Sequence, residues 1–124
     1  MAVESLRNTS GQRRSRTLFR GAAAAWAAAI FAASSVTGSQ VPGRFGYLAH
    51  FIEYATFGAL LSLALRDPRD RTGSDLAALA LASAYAVTDE IHQSFVPLRT
   101  VDPMDWLADT AGAAIAIIAL AAVD

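Results

Sequence analysis

Apolar positions along this chain fall into four stretches, each close to the length of a membrane crossing, with polar breaks between them. From Gly21 to Gly43 no residue carries a charge, and the apolar part is long enough for one helical crossing of about 20 residues. Its end is polar, through Ser34-Ser35 to Gln40. Gly46 to Leu65 forms the second stretch, with His50 and Glu53 in its first half and no charge from Tyr54 onwards. Arg66 to Gly73 then makes a polar turn in which Pro68 and Gly73 act as breakers, and Ser74 is the expected N-cap of a third helix. That helix runs from Leu76 to about Phe95 and stops before Pro97, which cannot continue it. Asp102, Pro103 and Asp105 supply an N-cap, a proline at the first helical position and a first-turn carboxylate, so a fourth helix runs from Met104 to Val123.

The pattern predicts an all-α fold: a small integral membrane bundle of four transmembrane helices over residues 21–124. Residues 1–20 contain Arg7, Arg13, Arg14, Arg16 and Arg20 with few large apolar side chains, and read as a disordered basic arm on the cytoplasmic side. Such an arm serves as a topology signal, and it can also attract anionic headgroups. Arg13-Arg14 ahead of an apolar run also fits a cleavable twin-arginine signal. An uncleaved first helix is expected instead, and three more apolar stretches make the product a membrane protein either way.

Composition agrees with this. A chain of 124 residues has room for one domain, and 54% hydrophobic content with positive mean hydropathy is that of a membrane protein. With no cysteine, a disulfide framework, a thiolate nucleophile and a cysteine-ligated zinc are excluded. The basic residues, all arginine, lack interleaved aromatics, and nothing signals nucleic-acid binding.

The arginines orient the bundle. The arm and the turn with Arg66, Arg69 and Arg71 share one side, whereas the other side has only Arg44 and Arg99. The positive-inside rule then puts both termini of a multi-pass membrane protein in the cytoplasm. By alternation, Ser34, Ser35, Arg44, His50, Glu53, Asp89, Glu90, His92, Gln93, Arg99, Asp102, Asp105 and Asp109 all gather near the outer leaflet. The inner halves of the helices read as almost purely Ala and Leu. Ionisable groups at this depth are costly and usually face a cavity or each other, so a polar pocket open to the outside is expected.

On helix three, Asp89 shares a face with His92 or with Gln93, while Glu90 lies about 100° round from it. Asp105 and Asp109 stack on one face of helix four, Asp109 the deeper, where a carboxylate needs a partner or a proton. His50, Glu53 and Phe57 align on helix two. Arg99 has two readings of equal weight: clamping an anionic headgroup or phosphate, or pairing with Asp105 or Asp109 to tie the loop to helix four. Arg44 reads first as a loop residue. His50 with Glu53 and His92 with Asp89 can form a metal or acid–base site, although the spacing is not a zinc signature. A hydrogen-bonded network fixing helices two, three and four together serves equally well. Tyr47 and Trp106 read as interfacial anchors, and Gly58 and Gly112 as points of close helix packing.

The chain resembles the VanZ-like family of membrane proteins from about Ser34 to Gly112. The resemblance rests on Ser34-Ser35, on His50-Phe51-Ile52-Glu53-Tyr54 with Gly58, on Asp89-Glu90-Ile91-His92-Gln93 with Phe95, Pro97 and Arg99, and on Asp105-Trp106 with Asp109 and Gly112. It departs from the family pattern at Gly46-Tyr47, where a lysine is common. The resemblance implies a small multi-helix membrane fold and, for the founding member, low-level resistance to the glycopeptide teicoplanin. It supplies no settled activity.

Three functions fit these residues. The first, which asks least of them, is an envelope protein whose pocket binds an anionic or polyprenyl-linked lipid through His50, Glu53, Gln93, Arg99 and Asp105. The second is an enzyme acting on a lipid phosphate or pyrophosphate, with Asp89, Glu90, Asp105 and Asp109 holding Mg²⁺ or Mn²⁺ and His92 or His50 moving a proton. The third is a scaffold whose polar core only sets helix register.

Overall fold

The computed structural model describes residues 1–36 and 46–123, and Arg44 lies outside them. The described residues form four helices and no strand: α1 (Ala2–Ser34), α2 (Gly46–Leu65), α3 (Arg71–Gln93) and α4 (Pro103–Val123). α2 is the central element, touching the other three and packing most extensively on α4, while α1 makes no contact with α4 among the described residues.

Helical spacing explains which residues point inward. α1 buries Ala23, Ile30 and Ser34, and α4 buries Asp109, Gly112, Ala113 and Ile117. α3 buries Ala78, Ala82 and Ala86, then continues the same face with Asp89, Glu90 and Gln93. α2 contributes the bulk of the core through Tyr54, Phe57 and Leu61. The outward residues are apolar too: Phe31, Leu48, Ile52, Leu81, Ile115 and Ile118 are all more than half exposed. Helices that are apolar on every face suit a lipid environment better than water. α1, α2 and α4 are long and apolar enough to cross a membrane. α3 is not among them, because Arg71, Asp75, Asp89, Glu90 and His92 lower its hydropathy.

Two boundaries differ from the sequence pattern. Residues 2–20, expected as a disordered arm, are helical and continuous with the apolar part of α1. Leu, Arg, Gln and Glu are strong helix formers, and no proline occurs before Pro42. The arm is also tied down at its far end. Arg16 Nη1 donates to the Arg66 carbonyl at 3.2 Å and Arg20 Nε to the Ala64 carbonyl at 3.3 Å, so two cations satisfy carbonyls at the C-terminus of α2. The third helix starts at Arg71 rather than near Leu76, with Asp70 as its N-cap in place of Ser74. Asp70 Oδ1 accepts from the Gly73 amide at 2.9 Å, and Ser74 sits inside the first turn with its hydroxyl on the Arg71 carbonyl.

The α2–α4 contact is close because two glycines permit it. A Cβ on Gly58 would lie 2.7 Å from Ala113 Cα, and one on Gly112 would collide with the Phe51 carbonyl oxygen. Both obstacles are backbone, which cannot swing aside. Gly112→Ala should therefore destabilise the bundle by about 1–3 kcal/mol, seen as a lowered midpoint of thermal unfolding in mild detergent; an unchanged midpoint would mean that the helices do not approach this closely.

Candidate functional site

The close approach of α2 and α4 sets His50 against the inner face of α4. Its Nδ1 lies 2.8 Å from Asp109 Oδ1, and its Nε2 lies 3.7 Å from Asp105 Oδ2. One turn separates the two aspartates on α4, so a single imidazole spans both. Asp109 has no exposed surface, and its second oxygen, Oδ2, is buried without a hydrogen bond among the described residues.

α3 brings a second carboxylate to the same place. Asp89 Oδ1 accepts from the Ser34 hydroxyl at the end of α1, and Asp89 Oδ2 accepts from Tyr54 at 3.4 Å. Gln93, one turn on, donates to Ser34 Oγ at 3.4 Å. One donor atom each from His50, Asp89 and Asp109 lies within 4.8 Å of the others. Three helices therefore converge on one small polar volume, and α1 supports it through Ser34.

Glu90 points elsewhere, as its position round the helix requires. Its Oε2 accepts from the Asp102 amide at 3.3 Å, next to the start of α4, and its Oε1 is buried without a partner among the described residues. His92 also leaves the cluster: it stacks on Phe31 with ring centroids 4.2 Å apart and meets the Ser35 hydroxyl at 3.0 Å. The two histidines thus serve different contacts. Glu53 lies half-buried, and its backbone carbonyl accepts from the Trp26 indole at 2.9 Å.

Beside the cluster lies a cavity of about 470 Å³, lined by Tyr47, His50, Gln93, Leu98, Arg99, Thr100, Val101, Asp102 and Asp105. Leu98 has φ 62°, a left-handed conformation that costs an L-residue about 1–2 kcal/mol. Arg99 Nε is buried without a hydrogen bond among the described residues, and no ion pair joins Arg99 to Asp105 or Asp109. Other groups hold the loop: the Asp102 amide donates to Glu90 of α3, and the Asp102 carboxylate accepts from the Met104 amide at the start of α4.

Tyr54 is a site residue that the charge pattern did not single out. It is completely buried, and its position four residues after His50 was the available signal, since i and i+4 share a helix face. The opposite end of the bundle also corrects the expectation of pure Ala and Leu. Buried Ser62 donates to Asp75 Oδ1 at 2.8 Å, and Arg71 Nε donates to Asp75 Oδ2 at 3.0 Å.

These elements define a class: a helical protein of membrane type whose carboxylate–histidine cluster is enclosed by apolar helices near one end. The chain belongs to the VanZ-like family, since the family model described as VanZ/LLP1 matches residues 2–123. No curated protein and no solved structure matches it.

At the mouth of the cavity, Asp102 is held by Tyr47 OH at 2.5 Å and by the Met104 amide at 3.0 Å. The Tyr47 bond first, and the amide second, favour the ionised form and hold the Asp102 carboxyl below the usual carboxylate range. A group with a depressed pKa gives its stability in full above its unfolded value and loses it as pH falls through the folded one. The thermal midpoint should therefore fall on acidification from about pH 5 to pH 3, less steeply in Asp102→Asn, which keeps a capping side chain but has no charge to lose. Equal slopes in circular-dichroism melts would show that the Tyr47–Asp102 contact does not favour the folded carboxylate.

Proposed function

We propose that this protein crosses the bacterial cytoplasmic membrane four times, and that its cavity binds the anionic headgroup of a membrane or polyprenyl-linked cell-wall lipid. The observation that carries this is Arg99, a permanently charged side chain lining a polar cavity with a buried Nε that no acceptor among the described residues satisfies. A planar guanidinium with a donor to spare suits a phosphate or carboxylate oxygen. Gln93 lines the same space and adds a donor, and His50 lies at its edge. An effect on the envelope, glycopeptide tolerance included, would follow from altered lipid presentation.

Two observations support α3 as the fourth crossing. Its outer face carries Leu76, Leu81, Val87 and Ile91, all exposed, while its acidic residues Asp75, Asp89 and Glu90 have hydrogen-bond partners within the chain. Mean hydropathy counts those inward groups against the helix, but lipid would not meet them. The orientation rests on Arg7, Arg13, Arg14, Arg16 and Arg20 of α1 lying at the same end as Arg66, Arg69 and Arg71, which favours that end as cytoplasmic.

Native mass spectrometry from mild detergent tests the headgroup reading. Wild type should retain an anionic or polyprenyl lipid, and Arg99→Gln should retain it at least about tenfold less, the equivalent of one charged hydrogen bond. Equal retention would remove Arg99 from the site. The orientation is checked with reporter fusions at each terminus and in the Ser94–Val101 loop. Both termini should report the cytoplasm and the loop the outside.

A further inference from the structure

Among the described residues, the buried cluster contains more negative charge than its neighbouring cations balance. Asp89 and Asp109 are almost wholly or wholly inaccessible, with Glu90 and half-buried Glu53 and Asp105 close behind, and the cations among them are Arg99 and, when protonated, His50. His92 is turned away against Phe31 and Ser35. A carboxylate removed from water needs full hydrogen bonding, a proton or a cation, and Asp109 Oδ2 has no hydrogen bond among the described residues. That orphaned acceptor belongs to the same side chain whose Oδ1 meets His50, in a cluster whose donor atoms lie within 4.8 Å of each other.

We propose that His50, Asp89 and Asp109 bind one divalent transition-metal ion of the Zn²⁺ or Mn²⁺ type. The donor set selects the ion. An imidazole nitrogen with two carboxylates suits Zn²⁺ and Mn²⁺, whereas Mg²⁺ and Ca²⁺ prefer oxygen throughout. Two carboxylates and a neutral imidazole exactly offset a divalent charge in a volume of low dielectric. The supporting groups for such a site are also present. His50 presents Nδ1 toward Asp109 and Nε2 toward Asp105, 3.7 Å away, so the Asp105 carboxylate favours the tautomer protonated at Nε2, which leaves Nδ1 free to bind the ion. The Ser34 hydroxyl and Tyr54 hold Asp89 in the same way.

This set differs from the four-carboxylate arrangement that the sequence suggests. Asp89 and Asp109 stay, His50 joins them, Glu90 points to the Asp102 amide, and Asp105 takes a supporting position. Because His50 also lines the cavity, the ion would lie at the cavity floor.

The test uses the full chain in mild detergent, stripped with chelator and titrated with Mn²⁺ or Zn²⁺ alone. The expected result is one equivalent bound per chain, with pulsed electron paramagnetic resonance of the Mn²⁺ form showing a directly coordinated imidazole nitrogen. His50→Gln and Asp109→Asn should each weaken binding beyond the roughly tenfold to hundredfold loss typical of a supporting group, whereas Asp105→Asn should stay within that range. Folded wild type that binds no ion, or binds one without nitrogen coupling, would overturn the proposal, as would unchanged binding in folded His50→Gln. The nitrogen coupling is read on wild type, so a variant that fails to fold does not rescue or sink the result. Lipid retention by Arg99 is measured on chelated protein, so either proposal can fail without the other.

Discussion

A carboxylate with no exposed surface, Asp109, sits within helices whose outer faces are Ala, Leu and Ile, and much of the bundle is arranged around that constraint. Leaving such a group uncompensated costs several kcal/mol, while one charge-assisted hydrogen bond returns about 1.5–3 kcal/mol. His50 therefore has to reach it, and it does so at 2.8 Å across the α2–α4 interface. The glycines at 58 and 112 let the backbones approach closely enough for this. Packing and chemistry are thus one requirement here: small residues are needed where the imidazole must meet the aspartate.

The two ends of the bundle solve different electrostatic problems. At one end, α2 finishes with unsatisfied carbonyls, and Arg16 and Arg20 from α1 donate to them, with Arg71 and Asp75 paired nearby. Each of these three cations at that end has an ordinary partner. At the other end, among the described residues, the carboxylates outnumber the cations, Arg99 keeps a buried donor unused, and Asp109 keeps a buried acceptor unused. The two orphans are of opposite kinds, so a single ligand carrying both an anion and a cation, such as a metal-bound phosphate, would complement both. Neither end needs α1 to touch α4, and that leaves α2 and α3 to carry the contacts between them.

The sequence made some of this readable and hid the rest for identifiable reasons. α2 and the start of α4 were legible because their signals are local: an apolar run with clean ends, and Asp102 before Pro103 with Asp105 one turn in. The cluster was legible as a set, since charge stands out in an apolar chain. Its partition was not. Asp89 and His92 are both available at helical spacing, and only the position of α1, with Ser34 and Phe31, sends one inward and the other onto a ring. The start of α3 was hidden because Arg71, Thr72, Gly73 and Ser74 form a polar first turn that apolar periodicity cannot see. The helical arm was hidden because composition argued for disorder, while its anchoring through Arg16 and Arg20 is a tertiary contact.

The polar contacts also settle a choice that apolar packing leaves open. Ala78, Ala82 and Ala86 form the buried stripe of α3 at a spacing of four. Such a stripe is nearly the same after a slide of one turn, so alanine packing by itself cannot fix the register of α3 against α2. Asp75 and Asp89 flank the stripe, one bonded to Ser62 and the other to Ser34 and Tyr54. A one-turn slide of about 5.4 Å would break both sets together; Asp75 would keep Arg71 of its own helix, but Asp89 would be left uncompensated inside the bundle. The penalty of several kcal/mol for Asp89 exceeds any preference among equivalent alanine contacts, so the polar groups select the one alignment in which the cluster assembles. The residues that look most costly in this membrane-type bundle are therefore the ones that specify it, and the candidate site is where that specification is concentrated.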